Sequence, residues 1–425
     1  MSDQYEIKPL KTLVSAYACA PSFGSEPGVG WNWVRQIARF SEVWVITREN
    51  NRETIEASLA QTPMPGVHWI YFDLPLWARF WKKGRRGIHL YYYLWQVGIY
   101  RLAKKLHREI EFDLIHHVTF VNYWMPSFLG LLPIPFIWGP VGGGDSTPPN
   151  FYGTYSLSGR IFELARGLAL RVGERDPFVR MTARSSRIAL ATTSQTASRL
   201  EGLGCRDVRL LSQVALPEEE ICILSSLSPS TVKPFRFVSV GQLLHLKGFH
   251  LGLMAFAKLS REILDCEYWV IGDGPERKRL ERLADELGIA GRVRFLGSLP
   301  RSEALHRLAD CDALIHPSLH DSGGWVIAEA MAVGRPVICL DWGGPSLQVI
   351  AETGFKIHPQ TPEQTIAMLS RAMIQLARSP DLCAQMGKAA QKRVAEHFNW
   401  DGRGYQIRRL YTEALHRGHD LYNES

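Results

Sequence analysis

The sequence predicts an α/β protein of two doubly wound domains, each built on a parallel sheet. Short apolar runs alternate with stretches of helical periodicity, and the alternation starts again in the second half of the chain. Strands that alternate with helices imply parallel sheets joined by right-handed crossovers. The length of 425 residues also exceeds that of one ordinary domain, so the two series predict two domains.

The first series defines an N-terminal domain, which we predict over residues 1–228. Its strands are short apolar runs of the kind that a sheet buries on both faces. They lie at 12–18, 43–47, 67–72, 114–118 and 135–138. Two of the intervening stretches, 31–40 and 92–108, have the apolar spacing of helices.

The second series defines a C-terminal domain, which we predict over residues 233–400. Its predicted strands are 235–240, 267–271, 293–296, 313–316 and 336–340, and its predicted helices are 250–260, 276–287, 302–309 and 326–333. The stretch 225–233 contains several Ser residues and a Pro, which is typical of an exposed linker. We expect the last helix, within 401–425, to pack elsewhere, against the N-terminal domain.

Composition favours a globular protein with large cores. Apolar residues make up 46% and charged residues 21% of the chain, both ordinary values. The seven cysteines form no C-x-x-C pair, so neither a disulfide framework nor a zinc site is predicted. The first residues lack the order of a signal peptide, and no apolar run is long enough to span a bilayer. The cytoplasm is therefore the expected location.

Residues 77–105 combine basic and large aromatic side chains within a chain of net charge +7. They are Trp77, Arg79, Phe80, Trp81, Lys82, Lys83, Arg85, Arg86, Tyr91, Tyr92, Tyr93, Trp95, Tyr100, Arg101, Lys104 and Lys105. This mixture suits an anionic membrane surface, where each cation contributes about 1 kcal/mol. A core helix with a solvated basic face is the alternative, and the sequence leaves both open. Nucleic acid is disfavoured, because no recognised binding motif accompanies the charge.

Two glycine-rich loops follow strands of the first series, at the sheet edge where open parallel sheets bind ligands. The first, 18–31, contains Gly24, Gly28 and Gly30 and opens a helix, so its amides could approach a phosphate or sugar oxygen. The second is 138–145. A tight structural turn is the alternative interpretation of each loop.

Paired histidines, His116 and His117, end another strand of the first series. A single histidine at such a place is usually structural. Two together at the ligand edge make a structural role and a ligand contact equally good interpretations.

The strongest functional pattern lies in the second half. Lys247, after the strand 235–240, can reach a phosphate as a mobile point charge. Asp321 and Glu329 lie eight residues apart across a strand-to-helix junction, with Gly323 and Gly324 between them. Amides at the start of that helix make an anion site, and the carboxylates can accept sugar and ribose hydroxyls. Together these residues indicate a pocket for a nucleotide sugar.

These residues resemble those of the bacterial retaining glycosyltransferases of family 4. The resemblance rests on the E-x7-E-like pattern from Pro317 to Val337, on 241–248, on 270–275 and on 293–297. In the first half, the Gly-Ser-Glu-Pro-Gly-Val-Gly-Trp and Trp-Gly-Pro-Val-Gly-Gly-Gly segments are similar to a bacterial branch of that family. The resemblance implies the GT-B fold, in which two Rossmann-like domains face a central cleft.

The resemblance also implies roles for single residues. Glu329 would hold the ribose hydroxyls, Asp321 the transferred sugar, and Lys247 the diphosphate, while His116 or His117 would touch the sugar near the reacting carbon. The implied donor-binding set is Gly28, Gly30, Gly241, Gln242, Lys247, Gly272, Gly274, Leu296, Ser322, Gly323, Gly324, Trp325 and Glu329. The implied acceptor-side set is Glu26, Gly142, Gly143 and Gly144.

The implied reaction moves a hexose from a nucleoside-diphosphate sugar to a glycan or lipid-linked acceptor, with retention of configuration and without a metal or other cofactor. The Asp310-Cys-Asp312 segment imitates a metal-binding D-x-D, but it precedes its strand and so lies away from the ligand edge. We therefore predict no metal site.

Two positions depart from the family pattern. Asp321 stands where the family usually has Glu, and Gln242 stands where it usually has an Arg that binds the diphosphate. His245 or Arg48 could supply the missing charge. A catalytically weakened nucleotide-sugar-binding or scaffold protein is therefore the second hypothesis. An oxidoreductase built on the first glycine-rich loop is a third, which the absence of a dinucleotide fingerprint disfavours.

Overall fold

The computed structural model describes residues 9–21, 26–82, 84, 87–227 and 234–420, with side chains described up to residue 416. Gly24, the basic residues Lys83, Arg85 and Arg86, and positions 228–233 of the predicted linker lie outside the described residues. The chain divides into two compact units. The first comprises Met1–Gly144, Leu168–Gln213 and Asp401–Ser425, and the second comprises Asp145–Gly167 and Val214–Trp400.

The first unit contains a seven-stranded parallel sheet of order β3-β2-β1-β4-β5-β6-β7. Its strands are β1 (Leu10–Ala16), β2 (Ser41–Thr47), β3 (Val67–Tyr71), β4 (Leu114–Thr119), β5 (Phe136–Val141), β6 (Ile188–Ala191) and β7 (Val208–Leu210). The order reverses between β1 and β4, which makes that point the expected ligand position of this sheet.

The second unit contains a six-stranded parallel sheet of order β10-β9-β8-β11-β12-β13. Its strands are β8 (Phe235–Val240), β9 (Cys266–Ile271), β10 (Val293–Gly297), β11 (Ala313–His316), β12 (Val337–Leu340) and β13 (Gly354–Ile357). The order reverses between β8 and β11. The predicted doubly wound, two-sheet architecture is confirmed.

The helices follow the strands in the βαβ rhythm. They are α1 (Glu26–Ile37), α2 (Arg52–Gln61), α3 (Leu76–Arg79), α4 (Ile88–Ile110), α5 (Leu157–Glu174), α6 (Pro177–Ser185), α7 (Ser194–Leu203), α8 (Glu218–Ser225), α9 (Phe249–Leu259), α10 (Arg277–Glu286), α11 (Arg301–Ala309), α12 (Trp325–Ala332), α13 (Pro345–Gln348), α14 (Pro362–Arg378), α15 (Pro380–His397) and α16 (Trp400–Asp420). None of those within the described residues is long and apolar enough to cross a membrane.

The chain first enters the second unit at Asp145 and leaves it after Gly167, and it returns at Val214, before the predicted linker at 225–233. Apolar burial explains the difference, because Val214, Leu216 and Leu224 pack into the core cluster that also contains Ile327 and Met331 of α12. A Ser/Pro-based boundary cannot reveal that a preceding segment is buried. The last helix, α16, belongs to the first unit, where the buried ring of Tyr411 contacts Phe40 edge to face.

The aromatic residues of 77–105 divide between core and surface. Tyr91, Tyr92 and Trp95 of α4 are fully buried, so this part of the segment is a core helix. Trp77 and Phe80, at α3, are 78% and 77% exposed. Only the α3 part therefore presents aromatic rings to solvent in the way that a membrane surface would require.

Candidate functional site

The site is built from loops that leave the carboxyl ends of β8 and β11, where the order of the second sheet reverses. Gly248, with φ of 67°, precedes α9 in the first of these loops. A Cβ atom at this position would lie 1.9 Å from the carbonyl oxygen of Pro317 in the second loop. Only glycine permits this approach, so the sequence brings the two loops together at the edge where such sheets bind ligands.

Asp321 lies at the meeting point of the two loops. Its Oδ2 accepts a hydrogen bond from Nζ of Lys247 at 2.6 Å and lies 3.1 Å from Nε2 of His316, the last residue of β11. Its Oδ1 accepts from the backbone amides of Gly323 at 3.2 Å and Gly324 at 3.0 Å. The carboxylate is therefore oriented by four donors from its own unit.

These donors fix the charge of Asp321. Burial alone would raise the pKa of its carboxyl group. The hydrogen bond from His316 and the positive charge of Lys247 outweigh burial and hold the pKa well below its ordinary value. Asp321 is therefore an anion at physiological pH, which can accept hydrogen bonds from hydroxyl groups but cannot act as a general acid.

The start of α12 offers further backbone donors. Asp321 already accepts hydrogen bonds from the amides of Gly323 and Gly324, and the direct ligand contact that the resemblance implies for these glycines stays a prediction. The next two amides, of Trp325 and Val326, donate to no group in the part of the chain that the structure describes. Buried Gln348 donates through Nε2 to the carbonyl oxygens of both glycines and holds the loop in place. The open amides at this helix N-terminus suit an anion.

Glu329 lies in the second turn of α12 and is paired with Arg301 of α11. Its Oε1 accepts from Nη2 of Arg301 at 2.6 Å and from Nε at 3.1 Å. Arg301 also pairs with Glu220 of α8. Burial raises the pKa of Glu329, and Arg301 partly offsets this effect. No described group donates a hydrogen bond to Oε2, which leaves one carboxylate oxygen to accept from a ligand hydroxyl.

Three glycines of the implied donor set allow the loops after β8 and β9 to pack backbone against backbone. A Cβ atom at Gly272 would lie 1.9 Å from the carbonyl oxygen of Gly241, and one at Gly274 would lie 2.6 Å from that of Leu243. The amide of Gly272 donates to Gly297 at 2.7 Å. These glycines shape the sheet edge. Leu296 of β10 packs partly against the core.

Gln242 is exposed at the same edge and brings no charge. Two residues could supply the missing positive charge, but both have carboxylate partners. His245 lies 3.3 Å from Oε1 of buried Glu163, and Arg48 in the first unit donates to Asp73 at 3.1 Å. Lys247 is likewise paired with a carboxylate, that of Asp321 at 2.6 Å, and Ser322 adds only an uncharged, half-buried side chain.

His116 and His117 of β4 are buried in the first unit. Nε2 of His116 lies 2.7 Å from the carbonyl oxygen of Gly139, and Nδ1 lies 2.8 Å from the hydroxyl of Tyr411. Nε2 of His117 lies 2.9 Å from the hydroxyl of Tyr92. Burial lowers the pKa of each histidine to about 3, so both rings are neutral. Both ring nitrogens of His116 thus have partners within the first unit, and the sugar contact that the resemblance implies for His116 or His117 stays a prediction.

The first glycine-rich loop packs against β4. A Cβ atom at Gly30 would lie 2.2 Å from the carbonyl oxygen of Ala18, so the glycine lets α1 approach the end of β1. Gly28 is buried in the same helix. Glu26, at the start of α1, accepts from the amide of Phe120, which has a φ of 58°. A non-glycine residue in this region stores about 1–3 kcal/mol of strain, and the contact with Glu26 helps to hold it.

The glycines at 142–144, in the second glycine-rich loop, allow close backbone packing within the first unit. The amide of Gly142 donates to Val121 at 2.9 Å, and that of Gly144 donates to Oγ1 of Thr196 at 3.3 Å. A Cβ atom at Gly144 would lie 2.6 Å from Cα of Thr196. Gly143 has a φ of 83°. The loop is therefore a close-packed turn on β5 within the first unit.

The Asp310–Asp312 segment lies at the amino end of β11, away from the loops described above. Oδ2 of Asp312 accepts from the amide of Arg236 at 2.7 Å, which ties it to β8. Among the described residues, no group of three or more His, Cys, Asp or Glu side chains could hold a metal ion.

Three comparisons with known proteins bear on this geometry. Residues 227–393 match the family model described as "Glycosyl transferases group 1". The chain is 31% identical over 162 residues to the 2-deoxystreptamine glucosyltransferase of Streptomyces kanamyceticus, a match that covers 37% of this chain and 40% of that protein. The chain spans about half the length of the curated relatives it matches, or less.

Two solved structures superpose on nearly the whole chain. The sucrose-phosphate synthase of Thermosynechococcus elongatus superposes with a TM-score of 0.61 at 19% identity, over 98% of this chain and 100% of that one. The Anabaena protein HepE, solved in complex with UDP and glucose, superposes with a TM-score of 0.58 at 17% identity, over 95% and 100%. The fold is GT-B. The residues that match the family model lie within the second unit, which carries Lys247, Asp321 and Glu329.

Some residues of this site had no signal in the sequence. Arg301 and Glu220 lie outside every motif, and Gln348 follows β12 in a segment without predicted structure. Glu163 and Arg166, which pair at 3.6 Å, come from the segment that sequence had assigned to the other domain. His316 ends the predicted strand 313–316, directly before the Pro317–Val337 pattern, but nothing in a strand-end histidine reveals a carboxylate partner five residues later.

Proposed function

We propose that the chain is a retaining glycosyltransferase that moves a hexose from a nucleoside-diphosphate sugar to a glycan or lipid-linked acceptor. One observation carries the proposal: an ionised Asp321, held by Lys247 and His316, lies beside open amides at the start of α12. The arrangement lies at the carboxyl edge of the second sheet, in the segment that matches the glycosyl transferase model.

The donor diphosphate would bind the open amides of Trp325 and Val326 together with Lys247. Helix amides and a cation are the usual protein partners of phosphate. To reach the phosphate, Lys247 would share its charge between the ligand and Asp321. Glu329 would accept a ribose hydroxyl through Oε2, since Arg301 already holds Oε1.

The chemistry would be the departure of the diphosphate from the sugar through an oxocarbenium-like transition state. Negative charge builds on the departing phosphate, and the amides and Lys247 stabilise it. One donor of this kind typically contributes on the order of 3 kcal/mol. A phosphate oxygen would take the proton of the attacking acceptor hydroxyl. Asp321 is an anion and would hold a sugar hydroxyl, so the acid–base carboxylate pair of glycoside hydrolases is not proposed.

We propose that the reaction needs no metal ion. Lys247 and the helix amides supply the positive potential at the phosphate position, and the Asp310–Asp312 segment lies at the opposite edge of the sheet. Transfer should persist in EDTA. Complete loss of transfer in EDTA, with rescue by Mn²⁺, would contradict this part of the proposal.

The first test is a thermal-shift screen against UDP, GDP, ADP, CMP and NAD(H). A ligand at about a hundred times its dissociation constant adds roughly 2.7 kcal/mol of stability. We expect a shift with one diphosphonucleotide, with UDP as the first choice because HepE was solved with UDP. The shift should disappear in Glu329→Ala and persist in Glu303→Ala, which removes an exposed carboxylate from neighbouring α11. A shift with NAD(H) alone would instead support the oxidoreductase.

A catalytically weakened nucleotide-sugar-binding or scaffold protein is the second candidate. It is favoured by uncharged Gln242 and by the use of two glycine amides to hold Asp321. UDP binding without transfer or donor hydrolysis, across glycan and lipid-linked acceptors, would support it over the enzyme.

A cytoplasmic location at an anionic membrane surface, through residues 77–105, belongs to the same proposal. Exposed Trp77 and Phe80 support it, and lipid-linked acceptors lie at such a surface. Replacement of both aromatics by Ala should weaken binding to anionic vesicles.

A further inference from the structure

Helix α5 carries a continuous apolar face that no described residue covers. Six large apolar side chains on it are between 55% and 73% exposed. They are Leu157, Ile161, Phe162, Leu164, Leu168 and Val172. Single exposed apolar residues are normal on a protein surface, but a contiguous set of this size marks an interaction site.

The spacing of these residues makes the face a stripe. Five of the six follow the helical i, i+4, i+7, i+11, i+15 pattern from Leu157 to Val172, so they line one side of the helix over about 22 Å. The opposite side is buried, with Glu163 and Leu170 only 4% and 6% exposed. The helix is thus held to the protein by one face and presents the other to solvent.

The exposed charges along the stripe are all positive. Arg160 and Arg171 border it, and Arg175 follows the end of the helix. The two acidic residues of α5 do not oppose them, because Glu163 is buried and Glu174 is paired with Arg199. Exposed apolar residues bordered only by cations are the signature of a helix that lies flat in an anionic lipid interface.

We propose that α5 is a membrane-docking helix, which inserts its apolar stripe among the acyl chains of an anionic lipid surface while its arginines contact the headgroups. The stripe shares no residue with the proposed nucleotide site or with residues 77–105. It gives the protein a second point of attachment.

A second copy of the chain fits the same face less well. A two-fold dimer through the stripe would place the arginines of one copy near those of the other, because such an interface pairs a surface with itself. Like charges in a desolvated interface are unfavourable, whereas an anionic lipid surface complements them.

Vesicle sedimentation tests the proposal with the full chain. The vesicles contain phosphatidylcholine with or without phosphatidylglycerol, at low and at high salt. We expect binding only with phosphatidylglycerol, weakened by salt. Leu164→Glu with Leu168→Glu should lower the partition coefficient at least about tenfold, because each change removes an apolar side chain that the lipid would bury and adds a negative charge. Arg171→Gln with Arg175→Gln should lower it roughly tenfold or more, at about fivefold per cation.

Leu264→Glu is the matched control, since Leu264 is 79% exposed in the loop between α9 and β9 of the second unit. It should leave the partition coefficient within about twofold of the parent chain. The UDP-induced thermal shift should be unchanged in all these variants, which separates a failed docking surface from a failed nucleotide site.

Two results would overturn the proposal. In the first, the Leu164→Glu, Leu168→Glu chain sediments like the parent, while Ala at Trp77 and Phe80 abolishes binding. The membrane contact would then belong to α3 alone. In the second, the parent chain binds none of the vesicles but forms a dimer, and Leu164→Glu with Leu168→Glu dissociates that dimer. The stripe would then be a contact between copies.

Discussion

The carboxyl edges of the two sheets look alike in sequence and differ in what their polar groups do. Both edges follow a point where the strand order reverses, and both carry glycine-rich loops and histidines. In the first sheet, both ring nitrogens of His116 form hydrogen bonds, one with the carbonyl oxygen of Gly139 and one with the hydroxyl of Tyr411. The amides of Gly142 and Gly144 also donate to acceptors within the first unit. In the second sheet, the amides of Trp325 and Val326 donate to no described group, and no described group donates to Oε2 of Glu329.

The difference teaches that polar residues at a ligand edge are informative only when their hydrogen-bonding capacity is counted. A histidine with two occupied nitrogens belongs to the fold, however well it is placed in the sequence. A carboxylate oxygen to which no described group donates, such as Oε2 of Glu329, can still accept a hydrogen bond from a ligand.

The largest expected effect comes from the cation of the second edge. Lys247→Met should lower kcat/KM for sugar transfer about 100- to 1000-fold, because the departing diphosphate loses a charged donor. Lys247→Arg keeps the charge and should recover part of the activity. Steady-state kinetics with the nucleotide sugar identified by thermal shift measure both. Equal activity of the Met variant and the parent would mean that the carboxyl edge of the second sheet does not take part in sugar transfer.

The buried histidines predict a pH dependence of stability. His116 and His117 have pKa values near 3 when folded and near 6.5 when unfolded, so between these values the unfolded chain binds more protons. Their contribution is complete above about pH 6.5 and is lost as the pH falls towards 3, by up to about 1.4 kcal/mol per pH unit for each ring. Urea unfolding at a series of pH values measures it, and a stability that stays flat down to pH 4 would contradict the assignment.

The sequence predicted much of the fold because buried parallel strands are nearly continuous apolar runs. All ten predicted strands are present, with ends that shift by a few residues. It missed β6, an Ile-Ala-Leu-Ala run that lacks β-branched enrichment, and short β7 and β13. It also missed α5, whose apolar periodicity is clear but which lies in the segment 146–224, for which no strand or helix was predicted.

The candidate site was predictable where chemistry follows spacing along the chain. Lys247, Asp321 and Glu329 were found because they follow strands or begin a helix. Arg301 and Gln348 act through contacts between elements far apart in the chain, which no local pattern encodes. The occupation of the glycine amides by Asp321 depends on a side-chain conformation, so it too was beyond the sequence.

Replacement of His116 sharpens the comparison from the side of the first edge. His116→Phe should lower the free energy of unfolding by about 1–3 kcal/mol, because Gly139 and Tyr411 lose their buried partner. The slope of stability against pH below about 6.5 should also decrease by up to about 1.4 kcal/mol per pH unit. The UDP-induced thermal shift should remain, since the nucleotide would bind the second unit. Loss of the UDP-induced shift in a well-folded variant would mean that the carboxyl edge of the first sheet contributes to nucleotide binding, which its hydrogen bonds do not indicate.

The smallest effect concerns Arg301, which touches Glu329 rather than the open amides. Arg301→Gln should weaken UDP binding by about tenfold, since Glu329 loses both its orientation and the cation that offsets burial. Without this cation the pKa of Glu329 rises further, so the fall in UDP affinity at acid pH should begin at a higher pH than in the parent. Arg301→Lys should restore part of the difference.

Arg307→Gln, on the exposed side of the same helix, is the matched control. Titration calorimetry at a series of pH values distinguishes positioning from general destabilisation, because only the former moves the pH profile. Identical profiles for the Arg301→Gln and Arg307→Gln chains would mean that Glu329 binds the ribose without help from α11.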